Sequence, residues 1–313
     1  MPEEMRDAFG KTLVELGHEF PNLLVLDADL NTSSKTVYFK EVFPTRFIQC
    51  GIAEQNMFGI AAGLAIQGFI PFPSTFAVFA AKRALDQISI SIAYPRLNVK
   101  IPGSYVGVPT SRAGASHNAF SDLANMRALP YMRVADPGDN HELSAVMRAA
   151  VMTDGPIYFR ITRYTLPHLF DAEYEFEWGK GQQLLAGSDV TLIGTGMMTN
   201  LCLEAAEILA KDRIWAEVLH CGSVKPIDAE LIAASAQKTR AVVTAENASI
   251  IGGLGSAVAE LVSERAPSVL RRIGVQDCFI ETGGISELLA HLQMRPEDIA
   301  LAARDAVEAK GAF

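Results

Sequence analysis

Short apolar runs alternate with longer amphipathic stretches along the chain, and Gly, Pro or Asp marks most of the junctions. Residues 22–28 (NLLVLDA), 97–103 (LNVKIPG) and 156–162 (PIYFRIT) are brief and nearly continuous in apolar character, which predicts buried strands. Residues 59–68 (GIAAGLAIQG) predict a tightly packed helix of small side chains. In 69–76 (FIPFPSTF) two prolines forbid a helix interior, because each lacks an amide donor and clashes with the preceding turn, so this piece should be extended. A helical period returns over 77–93 (AVFAAKRALDQISISIA). Asp136 followed by Pro137 reads as an N-cap and a first-turn proline opening a helix through Met147. Strands alternating with helices in this way predict an α/β domain with a mostly parallel sheet.

Between residues 166 and 187 the pattern breaks. The stretch HLFDAEYEFEWGKGQQ is charged, aromatic and glycine-containing, and reads as a linker or an edge excursion. A second α/β series begins at 189–196 (DVTLIGTG) and continues with strand-like runs at 216–220 and 241–246. The expected organisation is therefore α/β with two doubly wound domains, 1–168 and 189–313, joined by a linker at 169–188. A length of 313 residues suits two domains of ordinary size.

Composition narrows the function. Hydrophobic residues make up 49% and charged residues 20%, which excludes a disordered chain. A net charge of -9 argues against nucleic acid or an anionic membrane as partner, although a local basic pocket for an anion remains open. The mean hydropathy of +0.18 is high, and points to a large core or to apolar surface buried against a partner. No apolar run reaches the ~18 residues of a membrane span, and the start MPEEMRDAFGK has no signal-peptide core. Cys50, Cys202, Cys221 and Cys278 are too widely spaced for a zinc site and read as reduced, mostly buried thiols of a cytoplasmic protein.

Several enzyme classes are absent by motif: no Gly-x-Ser-x-Gly elbow, no phosphate-binding Walker loop and no His-Glu-x-x-His helix. GTGMMT (194–199) is half of a dinucleotide fingerprint, with Thr199 in place of the third glycine. It reads more simply as a strand-to-helix turn, as does GGLGSA (252–257), and this weakens an NAD-dependent oxidoreductase. The informative segment is 51–83, GIAEQNMFGIAAGLAIQGFIPFPSTFAVFAAKR. Glu54 stands at the start of a nearly apolar helix, either facing solvent where the helix dipole favours it or buried with a partner. Phe76 and Phe79 follow an extended piece, either as one face of a core helix or as an aromatic slot beside a buried acid.

This segment resembles the pyrimidine-binding domain of transketolase, a thiamine diphosphate enzyme, and residues 189–313 resemble that family's C-terminal domain. The resemblance implies that Glu54 hydrogen-bonds the aminopyrimidine of the cofactor and so helps to activate it, and that Phe76 and Phe79 form the walls of the pyrimidine slot. The stretch LDADLNTSS (26–34) resembles the family's Ala-Asp-Leu segment, which implies Asp29 near the cofactor and Ser33 near the substrate phosphate. His117, in AGASHNAF, matches a histidine that contacts sugar hydroxyls. Arg163, in FRITRY, matches a phosphate-binding arginine, and Arg6 holds a comparable position. Two arginines and a serine suit a charge-assisted anion site.

Two departures concern the sugar. Ala113 replaces the family's aldose-reading aspartate, and Tyr105 replaces a histidine near the substrate, which implies a non-standard sugar. The third is an absence. The diphosphate and its Mg²⁺ need oxygen ligands, supplied in the family by a Gly-Asp-Gly…Asn-type motif in another domain. Here only TDGP (153–156) is similar, and no asparagine follows it suitably. The resemblance is thus to the C-terminal subunit of a split transketolase. An N-terminal partner subunit would hold the diphosphate and metal, with a second copy of the present chain completing a heterotetramer. The alternatives are a deoxyxylulose-phosphate synthase-like enzyme, a 2-oxo acid dehydrogenase beta-type subunit, or a non-catalytic scaffold subunit.

Overall fold

The computed structural model describes residues 3–311. Among these, twelve strands build two sheets. The first half supplies β1 (Leu23–Asp27), β2 (Phe47–Gln49), β3 (Ile70–Phe76), β4 (Lys100–Ser104), β5 (Arg133–Ala135) and β6 (Ile157–Ile161). The second supplies β7 (Gln182–Leu185), β8 (Val190–Gly194), β9 (Ala216–His220), β10 (Ser223–Lys225), β11 (Ala241–Ser249) and β12 (Val269–Val275). The sheet orders are β10-β5-β6-β4-β3-β1-β2 and β12-β11-β8-β9-β7. All pairings are parallel except β10 on β5 and β7 on β9. Every residue of β1, β3, β4, β6, β8, β9 and β11 is buried. Continuous burial, rather than alternation, is what a parallel sheet covered by helices on both faces requires.

The proline-rich run over 69–76 is extended as expected, and it lies inside the sheet. Pro71 and Pro73 are tolerated there because β4 pairs with β3 only at Thr75 and Phe76, beyond both prolines. Three expectations need correction. The residues assigned to a linker at 169–188 include β7, an edge strand of the second sheet. The helix expected from Asp136 begins instead at Asn140 and runs to Val151, with Asp139 as its cap accepting from the Glu142 amide. Asp139 followed three residues later by Glu142 is itself the stronger start signal. The helical stretch expected over 77–93 is two wider-turned segments, Phe79–Arg83 and Gln87–Ala93, closed by i to i+5 bonds such as Ala84 N–H to Phe79 C=O at 3.1 Å.

The two halves are locked by buried polar contacts. β10 crosses from the second half to pair with β5. Arg160, fully buried on β6, donates to Asp122 (2.8 Å), to Asp136 (3.0 Å) and to the carbonyl of Asn247 (2.9 Å). Asp136 therefore serves this knot rather than a helix cap, and burial raises its pKa against the pull of Arg160. Beside it, His220 of β9 bonds Glu142 of the first half at 2.7 Å and Thr199 at 2.7 Å. A Cβ on Gly196, at φ +53, would meet the Asp136 carboxylate at 2.7 Å, so glycine there serves close packing of the two halves.

Of the four cysteines, all free, Cys202 and Cys221 are buried, Cys50 is half-buried and Cys278 is exposed. No helix among the described residues is long and apolar enough to cross a membrane.

Candidate active site

Ligands of open α/β sheets bind beyond the carboxyl ends of the strands, where the strand order reverses. In the first sheet that place is β1, which has β2 on one side and β3 on the other. The residues singled out in the sequence converge there. Asp29 and Ser33 follow β1, and Glu54 follows β2. Phe76 ends β3 with Phe79 just beyond it, His117 lies in the loop after β4, and Arg163 follows β6. Arg6 joins them from the helix Met5–Glu19, whose first amide bonds the carbonyl of Tyr164.

Glu54 is the first residue of the helix Glu54–Ile66 and is only 2% exposed. Its Oε1 accepts from Arg83 Nη1 at 2.7 Å. The Arg83 guanidinium carbon also lies 4.4 Å from the centre of the Phe79 ring. Acid and ring therefore flank the Arg83 guanidinium. Phe76 and Phe79 are stacked at 5.8 Å and 24°. The His117 ring stands edge-on to both, at 6.2 Å from Phe76 and 5.5 Å from Phe79, and its Nδ1 is 2.9 Å from the Ser116 hydroxyl. Of the two readings left open for Glu54, the structure selects burial with a partner, and of those for the phenylalanines, a stacked pair beside the site.

The other end is basic. Arg6 Nη1 donates to the Tyr105 hydroxyl at 2.8 Å and to the Ser33 carbonyl at 3.2 Å, while its Nε pairs with Glu4. Arg163, exposed, places its guanidinium carbon 5.2 Å from the Tyr105 ring centre. Tyr105 in turn lies 4.3 Å from Phe76, so this one side chain joins the aromatic slot to both arginines. It does so from a left-handed backbone, φ +64, that a bulky residue adopts only when its surroundings hold it there.

Not every expected residue contributes its side chain. Ser33 meets Arg6 through its carbonyl rather than its hydroxyl. Asp29 is exposed at φ +63, with its amide on Gln49 Oε1, and its carboxylate has no partner in this cluster. The carboxylate that shapes this turn is Asp27, which the sequence pattern alone does not single out. Buried at the end of β1, Asp27 accepts from the Leu30 amide (2.7 Å) and the Thr36 hydroxyl (2.9 Å), and burial raises its pKa. Arg83 is likewise not among the expected residues, although a cation four residues after Phe79 is a signal for it. Ala113 is exposed in the loop before His117.

Further buried polar atoms collect at this edge. The hydroxyls of Ser74, Thr75 and Ser104, and both amide atoms of Asn118 beside His117, have no hydrogen-bond partner among the described residues. Unsatisfied buried groups are costly, at about 1–3 kcal/mol each, and mark places where a ligand or solvent is accommodated. A buried acid and a cluster of aromatic rings, with unpartnered buried polar atoms at the same end of the sheet, fit an aminopyrimidine. The segment TDGP lies elsewhere. It turns from the helix Asn140–Val151 into the amino end of β6, opposite to the carboxyl ends where the site residues gather, and its Thr153 and Gly155 carbonyls accept from Lys100. Asp139, His141 and His168 also lie close enough for a shared cation. However, the Asp139 carboxylate is already engaged by the amides of Glu142, Leu169 and Phe170.

Fold and site together define a pyrimidine-binding α/β domain of the thiamine diphosphate kind followed by a second α/β domain. Residues 2–168 match the family model "Transketolase, pyrimidine binding domain" and residues 179–299 match "Transketolase, C-terminal domain". The chain belongs to the transketolase family, as a C-terminal subunit of the split type. It is 43% identical over 306 residues to the 6-deoxy-6-sulfo-D-fructose transketolase subunit SqwH of Clostridium sp. (strain MSTE9), covering 98% of this chain and 95% of that one. It is 34% identical to one of the apulose-4-phosphate transketolase subunits of Phocaeicola vulgatus, covering 97% of each. A solved structure described as "Split gene transketolase, inactive beta4 tetramer" superposes with a TM-score of 0.92 at 47% identity, covering 98% of this chain and 99% of that one. A 1-deoxy-D-xylulose-5-phosphate synthase of Geobacter sulfurreducens is 36% identical, but this chain spans only 48% of it. Membership of the family implies dependence on thiamine diphosphate.

Proposed function

We propose that this chain supplies the pyrimidine-binding half of the active site of a transketolase that moves a two-carbon ketol unit from a ketose phosphate to an aldose. The observation that carries the proposal is the buried carboxylate of Glu54, held by Arg83, at the same end of the sheet as the ring cluster of Phe76, Phe79 and His117. When bound, thiamine diphosphate supplies a carbanion nucleophile at its thiazolium C2. Glu54 hydrogen-bonds the aminopyrimidine by sharing a proton with a ring nitrogen, Phe76 and Phe79 exclude water from its faces, and Asp29 stands at the rim of the cofactor site. His117 moves protons at the sugar hydroxyls, a task suited to imidazole near neutral pH. Arg6 and Arg163, with the Ser33 turn, bind the anionic end of the sugar.

The reading includes a separate N-terminal subunit that holds the diphosphate and Mg²⁺, since TDGP lies at the amino end of β6, away from the site residues at the carboxyl ends. It also includes a second copy of this chain, giving a cytoplasmic heterotetramer. Support comes from the exposed apolar side chains Ile52, Ile66, Ile90 and Tyr94 around the helix that starts at Glu54. The sugar is non-standard in this reading, because Ala113 and Tyr105 remove two polar contacts expected for pentose phosphates. The names of the two split relatives, which specify a sulfofructose and an apulose phosphate, agree with that. Co-expression with an N-terminal subunit and a screen of sugar phosphates tests the proposal. Efficient turnover of xylulose 5-phosphate with ribose 5-phosphate would contradict the non-standard sugar. Consumption of pyruvate would favour a deoxyxylulose-phosphate synthase-like or 2-oxo acid dehydrogenase beta-type reading.

A further inference from the structure

We infer that Arg83 is a positioning residue for Glu54, fixing the direction in which the catalytic carboxylate presents its second oxygen. The inference rests on the proposed role of Glu54. A glutamate side chain has three free torsions, and burial alone leaves its carboxylate able to turn. In this chain Oε1 is pinned by Arg83 at 2.7 Å, and among the described residues no other side chain hydrogen-bonds the carboxylate. With one oxygen held, the other has a defined direction in which to share a proton with a ring nitrogen of a bound aminopyrimidine.

Arg83 is itself held. Its guanidinium lies over Phe79 at 4.4 Å. The segment Phe79–Arg83 is closed by the wide turn from Phe79 C=O to Ala84 N–H, which sets ring and cation on one short stretch of backbone. The guanidinium thereby ties the acid of the helix Glu54–Ile66 to the aromatic wall that follows β3. A guanidinium can rest against a ring with one N–H while another donates to a carboxylate; an ammonium supplies the charge without that planar fork. A merely structural ion pair predicts something different. Arg83 is 48% exposed, and such partly exposed pairs contribute little to stability.

The test uses the assembled two-subunit enzyme with Mg²⁺ in excess. Thiamine diphosphate affinity is measured by calorimetric titration, and the environment of the bound aminopyrimidine by near-ultraviolet circular dichroism. Wild type is compared with Arg83→Met, Arg83→Gln and Arg83→Lys, alongside thermal unfolding and subunit assembly. The expected result is affinity weakened about tenfold in Arg83→Met and Arg83→Gln, as for loss of one charge-assisted contact, with an altered dichroic band. Arg83→Lys recovers part of the affinity, and unfolding and assembly stay unchanged. Wild-type affinity and band in Arg83→Met would overturn the inference. Tighter binding would also overturn it, by showing that Arg83 competes for the acid. A wild-type complex that binds no thiamine diphosphate overturns the functional reading and this inference together, whereas inert Arg83 variants of a binding complex overturn this inference alone.

Discussion

Arg6 donates a hydrogen bond to the hydroxyl of Tyr105 at 2.8 Å. Because the Tyr105 ring also packs on Phe76, the basic end of the site and the aromatic slot share one side chain. Removing the hydroxyl should loosen the anionic sugar without touching the chemistry. In Tyr105→Phe, KM for the ketose donor should rise about tenfold, in line with a hydrogen bond to a charged group, while kcat stays close to wild type. Steady-state kinetics of the assembled enzyme checks this, and an equal fall in kcat with unchanged KM would place Tyr105 in the reacting centre instead.

Glu54→Gln keeps the shape of the side chain but removes its charge. Turnover should fall by at least the ~10²–10⁴ typical of a lost acid–base group, with circular dichroism and melting nearly unchanged because Arg83 reaches solvent. Near-normal activity would remove Glu54 from the mechanism.

The buried knot that joins the halves should be the most fragile point of the fold. Arg160→Met leaves Asp122 and Asp136 buried without their cation, and breaking such a pair costs about 3–5 kcal/mol. Urea unfolding of the single chain measures the loss. A change comparable to that of a surface substitution would show that the knot relaxes.

His220 adds a pH dependence. Burial lowers its pKa, but Glu142 at 2.7 Å, with Asp136 and Asp139 nearby, outweighs this, and the imidazole titrates above its ordinary value. A histidine raised in the folded state contributes stability that is fully present below the unfolded value near pH ~6.5. That contribution disappears as pH rises through the folded value. Melting temperature measured from pH 6 upward should therefore fall more steeply in wild type than in His220→Gln. Parallel curves would show that His220 stays neutral throughout.

The outer face of the helix Glu54–Ile66 predicts assembly. A Cβ on Gly63 would meet nothing within 4 Å, so Gly63→Arg should fold normally. It should nevertheless shift the complex toward smaller species in sedimentation velocity, because a large cation would stand beside exposed Ile66 where another chain packs. An unchanged sedimentation profile would move the interface elsewhere.

Much of this is legible in the chain. Continuous apolar runs mark strands covered on both faces, and the identities of Glu54, Phe76, Phe79 and His117 mark one end of the sheet, because topology brings the carboxyl ends of neighbouring strands together. The features that are not legible depend on long-range partners. Asp136 beside Pro137 carries a valid local signal for a helix start, yet its carboxylate is claimed by Arg160, 24 residues away, and Asp139 caps the helix instead. Residues 182–185 carry little strand character of their own and become β7 only by pairing with β9. Arg83 reads locally as a surface cation on a helix; the wide turn after Phe79, which no simple periodicity reveals, aims it at Glu54.

The central claim is that this chain holds the acid of a thiamine site that another polypeptide completes. It is tested most directly by measuring ketol transfer by the purified chain alone, by the chain with an N-terminal transketolase subunit, and by the same mixture carrying Glu54→Gln, each with thiamine diphosphate and Mg²⁺. The account predicts transfer in the wild-type mixture only. Transfer by the chain alone, or undiminished transfer by the Glu54→Gln mixture, would contradict it.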